Sequence, residues 1–199
     1  GRNVLIQQAL DTNCSHIFFL DDDMQFQPDL LFRLLAHKKE VVTALYYYRQ
    51  FPHYPMIFNG WNERGHALKM DLMNQPISGL IPITASGLGA MLIKTEVFRK
   101  MKMPWIRLGE YPESMDMWCD DIGFFWRMSR EVGCEIYCDL DARVGHFTNA
   151  IIIPNVHEGK WVTVYDTSGD GTVTVPQFQQ PVVQTEAQPK AIVKELTRV

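Results

Sequence analysis

Three consecutive aspartates at the end of an apolar run constrain this chain more than any other feature. The run at residues 17–20 has the length of a buried strand, and Asp21, Asp22 and Asp23 follow it directly. Because side chains alternate along an extended backbone, Asp21 and Asp23 point to one side and Asp22 to the other. Adjacent carboxylates repel one another unless a cation neutralises them. The pattern therefore indicates either a divalent metal site or a solvated acidic turn before the next helix.

Helical and strand patterns alternate up to residue 149. Helices are predicted near residues 4–10, 28–35 and 95–102, and from residue 120 to a stop at Gly133. Strands are predicted at residues 17–20, 41–48, 90–93 and 136–139. This order predicts an α/β fold with a mostly parallel sheet, whose ligands lie outside the carboxyl ends of the strands. Residues 50–83 show no clear period and are expected to form long connections or a short hairpin near a binding face.

The character of the sequence changes beyond Asn149. Residues 161–165 and 172–175 alternate as two strands about a turn at residues 167–171, and a tail rich in Gln, Pro and Val follows. The turn resembles the opening of a calcium loop, but Gln177 stands where such a loop needs a bidentate Glu. We therefore expect two units, a main domain at residues 1–149 and a hairpin extension with a flexible tail at residues 150–199.

Charge, hydropathy and cysteine usage exclude several classes of protein. The chain has 19 Lys and Arg against 23 Asp and Glu, a net charge of −4, and no basic cluster that would bind nucleic acid. No apolar run approaches the roughly 20 residues that cross a bilayer, so no transmembrane segment is expected. The 4 cysteines form no CxxC pair and have no His at zinc-finger spacing. Reduced thiols in a cytoplasmic protein are the expectation; the oligomeric state is left open.

Several segments together resemble the family 2 glycosyltransferases and related GT-A enzymes. Residues 17–29 resemble the DxD segment of that family, in which a buried strand delivers an Asp-x-Asp pair and a Pro-Asp helix start follows. Four further segments follow in the family's order: Arg2-Asn3, the Gly87-Leu88-Gly89 loop, the Asp120-Asp121 pair, and Gly145-His146 after a strand. The resemblance covers residues 1 to about 148 and implies a GT-A-like, Rossmann-related sheet flanked by helices.

The resemblance implies transfer of a sugar from a nucleotide-diphosphate sugar to a hydroxyl of a glycan, lipid or protein acceptor. Its cofactor would be Mn²⁺ or Mg²⁺, which would neutralise the leaving diphosphate. The implied metal ligands are Asp21, Asp23 and His146. Asp121 would be the general base of an inverting transfer, beside Asp120, where the family usually has Glu. The residues implied to contact the donor are Arg2, Asn3, Asp21, Asp22, Gly87 and Gly89.

In that family the first strand and the acidic residue that reads the base precede the Arg-Asn segment. This chain begins at that segment, so a domain truncated at its N-terminus, with an incomplete base subsite, is expected. Three other readings remain open: a retaining transferase that does not need Asp121 as a base, a nucleotidyltransferase that releases pyrophosphate, and a non-catalytic carbohydrate- or protein-binding module. Purely structural roles are also open, namely helix capping for Asp120 and Asp121, a strand-end position for His146, and tight turns for Gly87 and Gly89.

Overall fold

A computed structural model describes residues 1–63, 65–107, 120–148, 150–166 and 172–176, with the side chains of Asp120 and of residues 172–176 left outside the description. The helices are α1 (Arg2–Asp11), α2 (Leu30–Ala36), α3 (Thr95–Lys100) and α4 (Asp120–Glu131), with a 3₁₀ turn at Leu72–Asn74. The strands are β1 (His16–Leu20), β2 (Met24–Gln25), β3 (Val41–Leu45), β4 (Ile57–Trp61), β5 (Ala67–Lys69), β6 (Leu80–Ile83), β7 (Ala85–Ser86), β8 (Ala90–Lys94), β9 (Ile136–Arg143), β10 (Gly145–Phe147), β11 (Ile151–His157), β12 (Lys160–Asp166) and β13 (Thr172–Pro176).

The central sheet is mixed, with the strand order β1-β8-β3-β9-β6. Only β3 and β9 pair in parallel, whereas β8 is antiparallel to both β1 and β3, and β6 is antiparallel to β9. The expectation of a mostly parallel, GT-A-like and Rossmann-related sheet flanked by helices is therefore wrong. The wrong expectation arises from β8, which is buried on both faces. A strand covered on both faces is a continuous apolar run in either direction, so its hydropathy does not reveal which way it runs.

The antiparallel course of β8 follows from where the chain enters the sheet. The backbone N–H of Asp21, just past the end of β1, donates to the carbonyl of Gly89, just before β8, at 2.9 Å. The chain thus starts β8 at the edge where β1 ends. Because β1 and β3 are both antiparallel to β8 and β3 is parallel to β9, the strands β1, β3 and β9 share one direction. Their carboxyl ends and the start of β8 consequently meet at one edge, which we call the site edge.

Two further sheets are antiparallel throughout their described pairings. One has the order β13-β12-β11-β10-β2 and the other the order β5-β4-β7. The predicted boundary at residue 149 falls between β10 and β11, which pair with each other, and Ile152 and Trp161 of the following hairpin belong to the main core. The division into two units stays a prediction. The predicted turn at residues 167–171 and the tail beyond residue 176 lie outside the described residues.

Buried side chains form two clusters on opposite faces of the central sheet. Val41 and Leu45 of β3 belong to one cluster, and the alternating residues Val42 and Ala44 belong to the other. The first cluster includes aromatic residues of α3 and α4, where the ring of Phe98 stacks on that of Phe124 with centroids 5.7 Å apart. The second includes apolar residues of α2. Burial on both faces fixes the strand ends that form the site edge.

No helix in the described part of the chain combines the length and the apolar character needed to span a membrane.

A buried carboxylate in the middle of β9 connects this strand to α2. Asp139 is 1% exposed, and its Oδ2 accepts hydrogen bonds from Arg33 Nε and from His37 Nε2, each at 2.8 Å. Its Oδ1 accepts from the backbone N–H of Asp141 at 2.9 Å. Burial alone would raise the pKa of Asp139, but the hydrogen bonds from Arg33, His37 and the backbone together outweigh burial and lower it. The ionised form is therefore the one that the fold stabilises.

Replacing Asp139 with Asn should destabilise the protein by about 1.5–3 kcal/mol at about pH 7, because Arg33 and His37 would lose the ionised acceptor of their hydrogen bonds. The folded-state pKa of Asp139 is depressed, so its contribution is present above the ordinary value of 3.8 and is lost as the pH falls through the folded-state pKa. Urea unfolding of wild type and Asp139→Asn should therefore differ less at about pH 3 than at about pH 7. The exposed Asp11→Asn serves as the control and should change stability by less than about 0.5 kcal/mol. If the difference in unfolding free energy between wild type and Asp139→Asn does not depend on pH, the charge of Asp139 does not contribute to stability.

Candidate functional site

Arg2 joins two carboxylates from distant parts of the chain at the site edge. Its Nη2 lies 2.8 Å from Oδ1 of Asp21, at the end of β1, and its Nη1 lies 2.8 Å from Oδ1 of Asp121, in the first turn of α4. All three side chains are partly buried. A guanidinium offers separate N–H groups to two acceptors, so Arg2 holds both carboxylates in place and offsets their mutual repulsion.

The second oxygen of Asp121 binds the glycine loop that precedes β8. The backbone N–H of Leu88 donates to Asp121 Oδ2 at 3.0 Å. Each carboxylate oxygen therefore accepts one of these two hydrogen bonds, and together the two bonds fix the orientation of the carboxylate. Asp120 begins α4, but its side chain lies outside the description, so its predicted role is neither supported nor opposed.

Gly87 and Gly89 lie against the buried ring of Tyr46, which follows β3. A Cβ atom at Gly87 would collide with the hydroxyl of Tyr46, and one at Gly89 would collide with the side chain of Met24. The N–H of Gly89 donates to Tyr46 Oη at 3.1 Å. Burial raises the pKa of Tyr46, so the phenol stays neutral. Packing against Tyr46 and Met24 accounts for glycine at these two positions, and the predicted contact with the donor stays a prediction.

Asp23 and His146 meet beside this network. The Nδ1 of His146 lies 2.8 Å from the carbonyl oxygen of Tyr47, which only accepts, so Nδ1 carries the proton. This directs Nε2 toward Asp23 Oδ2, at 3.2 Å. A bare Nε2 lone pair facing a carboxylate is unfavourable, so a proton or a metal ion belongs between them. In metal sites, a hydrogen bond from the non-coordinating ring nitrogen to a backbone carbonyl likewise orients the imidazole.

The donor atoms here match a divalent transition metal in kind, since Mn²⁺ accepts both carboxylate and imidazole ligands. Two of the three predicted ligands, Asp23 and His146, lie together, whereas Asp21 is engaged by Arg2. Across the described ranges, no group of three or more His, Cys, Asp or Glu side chains is arranged to hold a metal ion. A metal at Asp23 and His146 would need ligands from a substrate or water, or a shift of Asp21.

Two residues predicted to contact the donor are placed differently. Asn3 connects the start of α1 to residues 104–107 through two hydrogen bonds with Ile106. Its Nδ2 donates to the carbonyl of Ile106, and its Oδ1 accepts from the N–H of Ile106 at 3.0 Å. Asp22 is exposed between Asp21 and Asp23. Both ends of the Asn3 amide are thereby engaged within the protein.

The sequence reasoning missed the segment that follows β3. Tyr46 supports the glycine loop, Tyr47 orients His146 through its carbonyl, and Arg49 Nη1 lies 3.0 Å from Asp23 Oδ2. A signal for these residues was present, because the predicted strand at residues 41–48 runs in the same direction as β1 and so ends at the same edge. The aromatic run at residues 46–48 is also typical of a buried strand, so its sequence does not by itself identify a site.

The fold and the site define a mixed-sheet protein with helices, in which arginine-paired carboxylates gather at one sheet edge. No protein-family model matches the chain, and a search of curated proteins finds no match. Among solved structures, the chain is similar to the crystal structure of A197 from STIV, with a TM-score of 0.53 and 15% sequence identity. The match covers 86% of this chain and 77% of that chain. At this identity the likeness concerns the fold alone.

Replacing Gly87 with Ala should destabilise the protein by about 1–3 kcal/mol, because the added methyl overlaps the buried hydroxyl of Tyr46. In the Gly87→Ala/Tyr46→Phe double variant that overlap disappears. The double variant should therefore lose less unfolding free energy, measured by chemical denaturation, than the two single variants lose in sum. Gly60→Ala is the matched control, since its Cβ would approach Leu68 no closer than an ordinary 3.5 Å. Additive losses would show that the glycine is not required by Tyr46.

Proposed function

We propose that this protein transfers a sugar from a nucleotide-diphosphate sugar to an acceptor hydroxyl, with Mn²⁺ or Mg²⁺ as cofactor. The observation that carries the proposal is the meeting of Asp23 with His146 beside the network in which Arg2 joins Asp21 to Asp121. These residues lie far apart in the sequence, and they belong to the segments that resemble family 2 glycosyltransferases. The proposal does not need a mostly parallel sheet, because it depends only on which strand ends share an edge.

Asp23 and His146 would hold the divalent cation, whose chemistry is to neutralise the diphosphate as it leaves. The partly buried position of His146 and its hydrogen bond to Tyr47 keep Nε2 aimed at that place. Arg2 keeps Asp21 at the same edge, where the carboxylate can contact the ribose or complete the metal ligands. Gly87 and Gly89 would let the donor approach the backbone of the loop between them.

Asp121 is the proposed general base. In an inverting transfer the acceptor oxygen bonds to the anomeric carbon, the bond from that carbon to the diphosphate oxygen breaks, and the hydroxyl proton passes to Asp121. Arg2 and the N–H of Leu88 fix the carboxylate from two directions. Such fixation supports catalysis because a base is effective only when its lone pair already faces the proton. Asp120 would help to orient the acceptor.

The proposal includes a nucleotide sugar as donor, a glycan, lipid or protein as acceptor, and no nucleic-acid partner. It also includes a cytoplasmic location, which is supported by the free thiols of the described cysteines Cys14, Cys134 and Cys138.

A non-catalytic binding module is the second candidate, and one observation favours it. Arg2 forms ion pairs with both Asp21 and Asp121, and Arg49 forms one with Asp23, so each of these carboxylates already has a cationic partner within the protein. A binding module would retain these ion pairs and would need no metal. A retaining transferase or a nucleotidyltransferase would bind the metal and would differ from the proposed enzyme in its products.

Isothermal titration of Mn²⁺ into the protein, with and without uridine or guanosine diphosphate, tests the metal site. The intact chain should bind Mn²⁺, and binding of at least one nucleotide should depend on the metal. Asp23→Ala and His146→Ala should each weaken Mn²⁺ binding by at least about tenfold, the lower end of the effect of changing even an outer partner of a metal ligand. The control Asp11→Ala removes an exposed carboxylate from the far end of α1 and should leave binding unchanged. Equal Mn²⁺ affinity in all four proteins would refute the site and favour the binding module.

Replacing Asp121 with Asn tests the general base. The variant should release nucleoside diphosphate from the sugar donor about 10²- to 10⁴-fold more slowly, while Mn²⁺-dependent nucleotide binding stays intact. Asn keeps an oxygen for the N–H of Leu88, so the glycine loop has a partner in the variant. An unchanged rate with a retained anomeric configuration in the product would identify a retaining enzyme instead. Release of pyrophosphate from a nucleoside triphosphate would identify a nucleotidyltransferase.

A further inference from the structure

We propose that Arg49 takes the place of the cation at Asp23 in the metal-free protein, and that metal binding releases it to bind the diphosphate of the donor. This inference rests on the proposed function. It assigns Arg49 a binding role that neither the sequence motifs nor the structural comparison suggests.

Arg49 and His146 share one oxygen of Asp23. Oδ2 lies 3.0 Å from Arg49 Nη1 and 3.2 Å from His146 Nε2. The two partners differ in how firmly they are held, because the side chain of Arg49 is 54% exposed and that of His146 is 11% exposed. His146 is also fixed through Tyr47, so it can remain when a ligand arrives, whereas Arg49 reaches Asp23 from the solvent side.

A divalent cation on Asp23 and Arg49 in its present position exclude each other electrostatically. A metal–oxygen bond of about 2 Å would put the cation within about 5 Å of Arg49 Nη1. At that distance a doubly charged ion and a guanidinium repel each other strongly even when partly screened by water. Arg49 must therefore leave Asp23 when the metal binds, and the metal must displace an existing ion pair to bind.

The backbone around Arg49 is fixed, so the movement is confined to its side chain. Residues 46–56 form a hairpin in which the N–H of Tyr48 donates to the carbonyl of Tyr54 at 2.8 Å, and the rings of these two residues stack 4.9 Å apart. The ring of His53 packs edge-on against Tyr165 of β12 at 5.3 Å. Arg49 thus stays at the site edge after it leaves Asp23.

A diphosphate is the anion that best fits the released guanidinium. The planar fork of Arg binds phosphate oxygens through two N–H groups, and the donor's diphosphate would approach the same cation that displaced Arg49. Arg2 is less suited to this role, because its guanidinium is already held between Asp21 and Asp121. The guanidinium of Arg49 would therefore exchange its ion pair with Asp23 for one with the diphosphate of the ligand.

Two titrations of Arg49→Gln test this inference because the expected changes have opposite signs. Titrated with Mn²⁺ alone, the variant should bind about threefold more tightly than wild type, since a partly exposed ion pair no longer competes. Titrated with uridine or guanosine diphosphate at saturating Mn²⁺, it should bind about tenfold more weakly, since a charge-assisted hydrogen bond is lost. Arg49→Lys keeps the charge but not the fork, so it should match wild type for Mn²⁺ and lose only part of the nucleotide affinity.

Arg99→Gln is the matched control, since it removes the same charge from α3, beyond the opposite end of β8. It should change neither titration, and thermal unfolding should show that all variants fold. If Arg49→Gln leaves Mn²⁺ affinity unchanged or weakened, or leaves nucleotide affinity unchanged, the inference is wrong while the proposed function stands. If neither wild type nor Arg49→Gln binds Mn²⁺ or nucleotide, both fail. If Arg49→Gln binds Mn²⁺ and wild type does not, that result would support competition between Arg49 and the metal for Asp23.

Discussion

The guanidinium of Arg2 lies between carboxylates that belong to opposite halves of the chain. Asp21 directly follows the first strand and Asp121 lies in the first turn of the last described helix, so the Arg2 side chain connects α1, β1 and α4. Leu88 extends the connection to the start of β8 through its N–H. If Arg2 were neutral, two carboxylates would face each other without a counter-ion at a partly buried edge. The arrangement of the candidate site therefore depends on a contact that also holds the surrounding elements in place.

The carboxylates of the site edge would face different surrounding charges in the ligand-free protein and in the proposed complex with a metal and a substrate. Without a bound ligand, Arg2 and Arg49 offset two of the three negative charges of Asp21, Asp23 and Asp121 from within the protein. Under the proposed function, a metal would bring positive charge to Asp23 and an anionic substrate would bring negative charge beside it. An exposed arginine can follow this change at small cost, because its ion pair contributes little while water screens it. An arginine held between two partners, such as Arg2, instead keeps the geometry constant.

Local patterns in the sequence were enough to place the four described α-helices and the strands β1, β3, β8, β9, β12 and β13, whereas the remaining strands and the direction of pairing were not accessible to them. Leu30 and Leu34 of α2 are buried, and β1 ends at the three aspartates. The direction of β8 depends on the path that the chain takes between β3 and β8. That path comprises short strands and turns without a clear period, so no local signal encodes it. The prediction of a mostly parallel sheet failed at this point.

The candidate site was predictable to the extent that its residues follow strands of one direction. Asp23 and His146 were paired by resemblance, and they lie together because the chain just past β1 pairs with the chain just past β9: Met24 of β2 lies opposite His146 of β10. Inserting an antiparallel strand changes the sheet type without changing which edge those ends reach. Arg49 obeys the same rule, since it follows β3, but an arginine after an aromatic run has no distinctive pattern. Its partner is set by the turn between Tyr48 and Tyr54, and such contacts appear only in three dimensions.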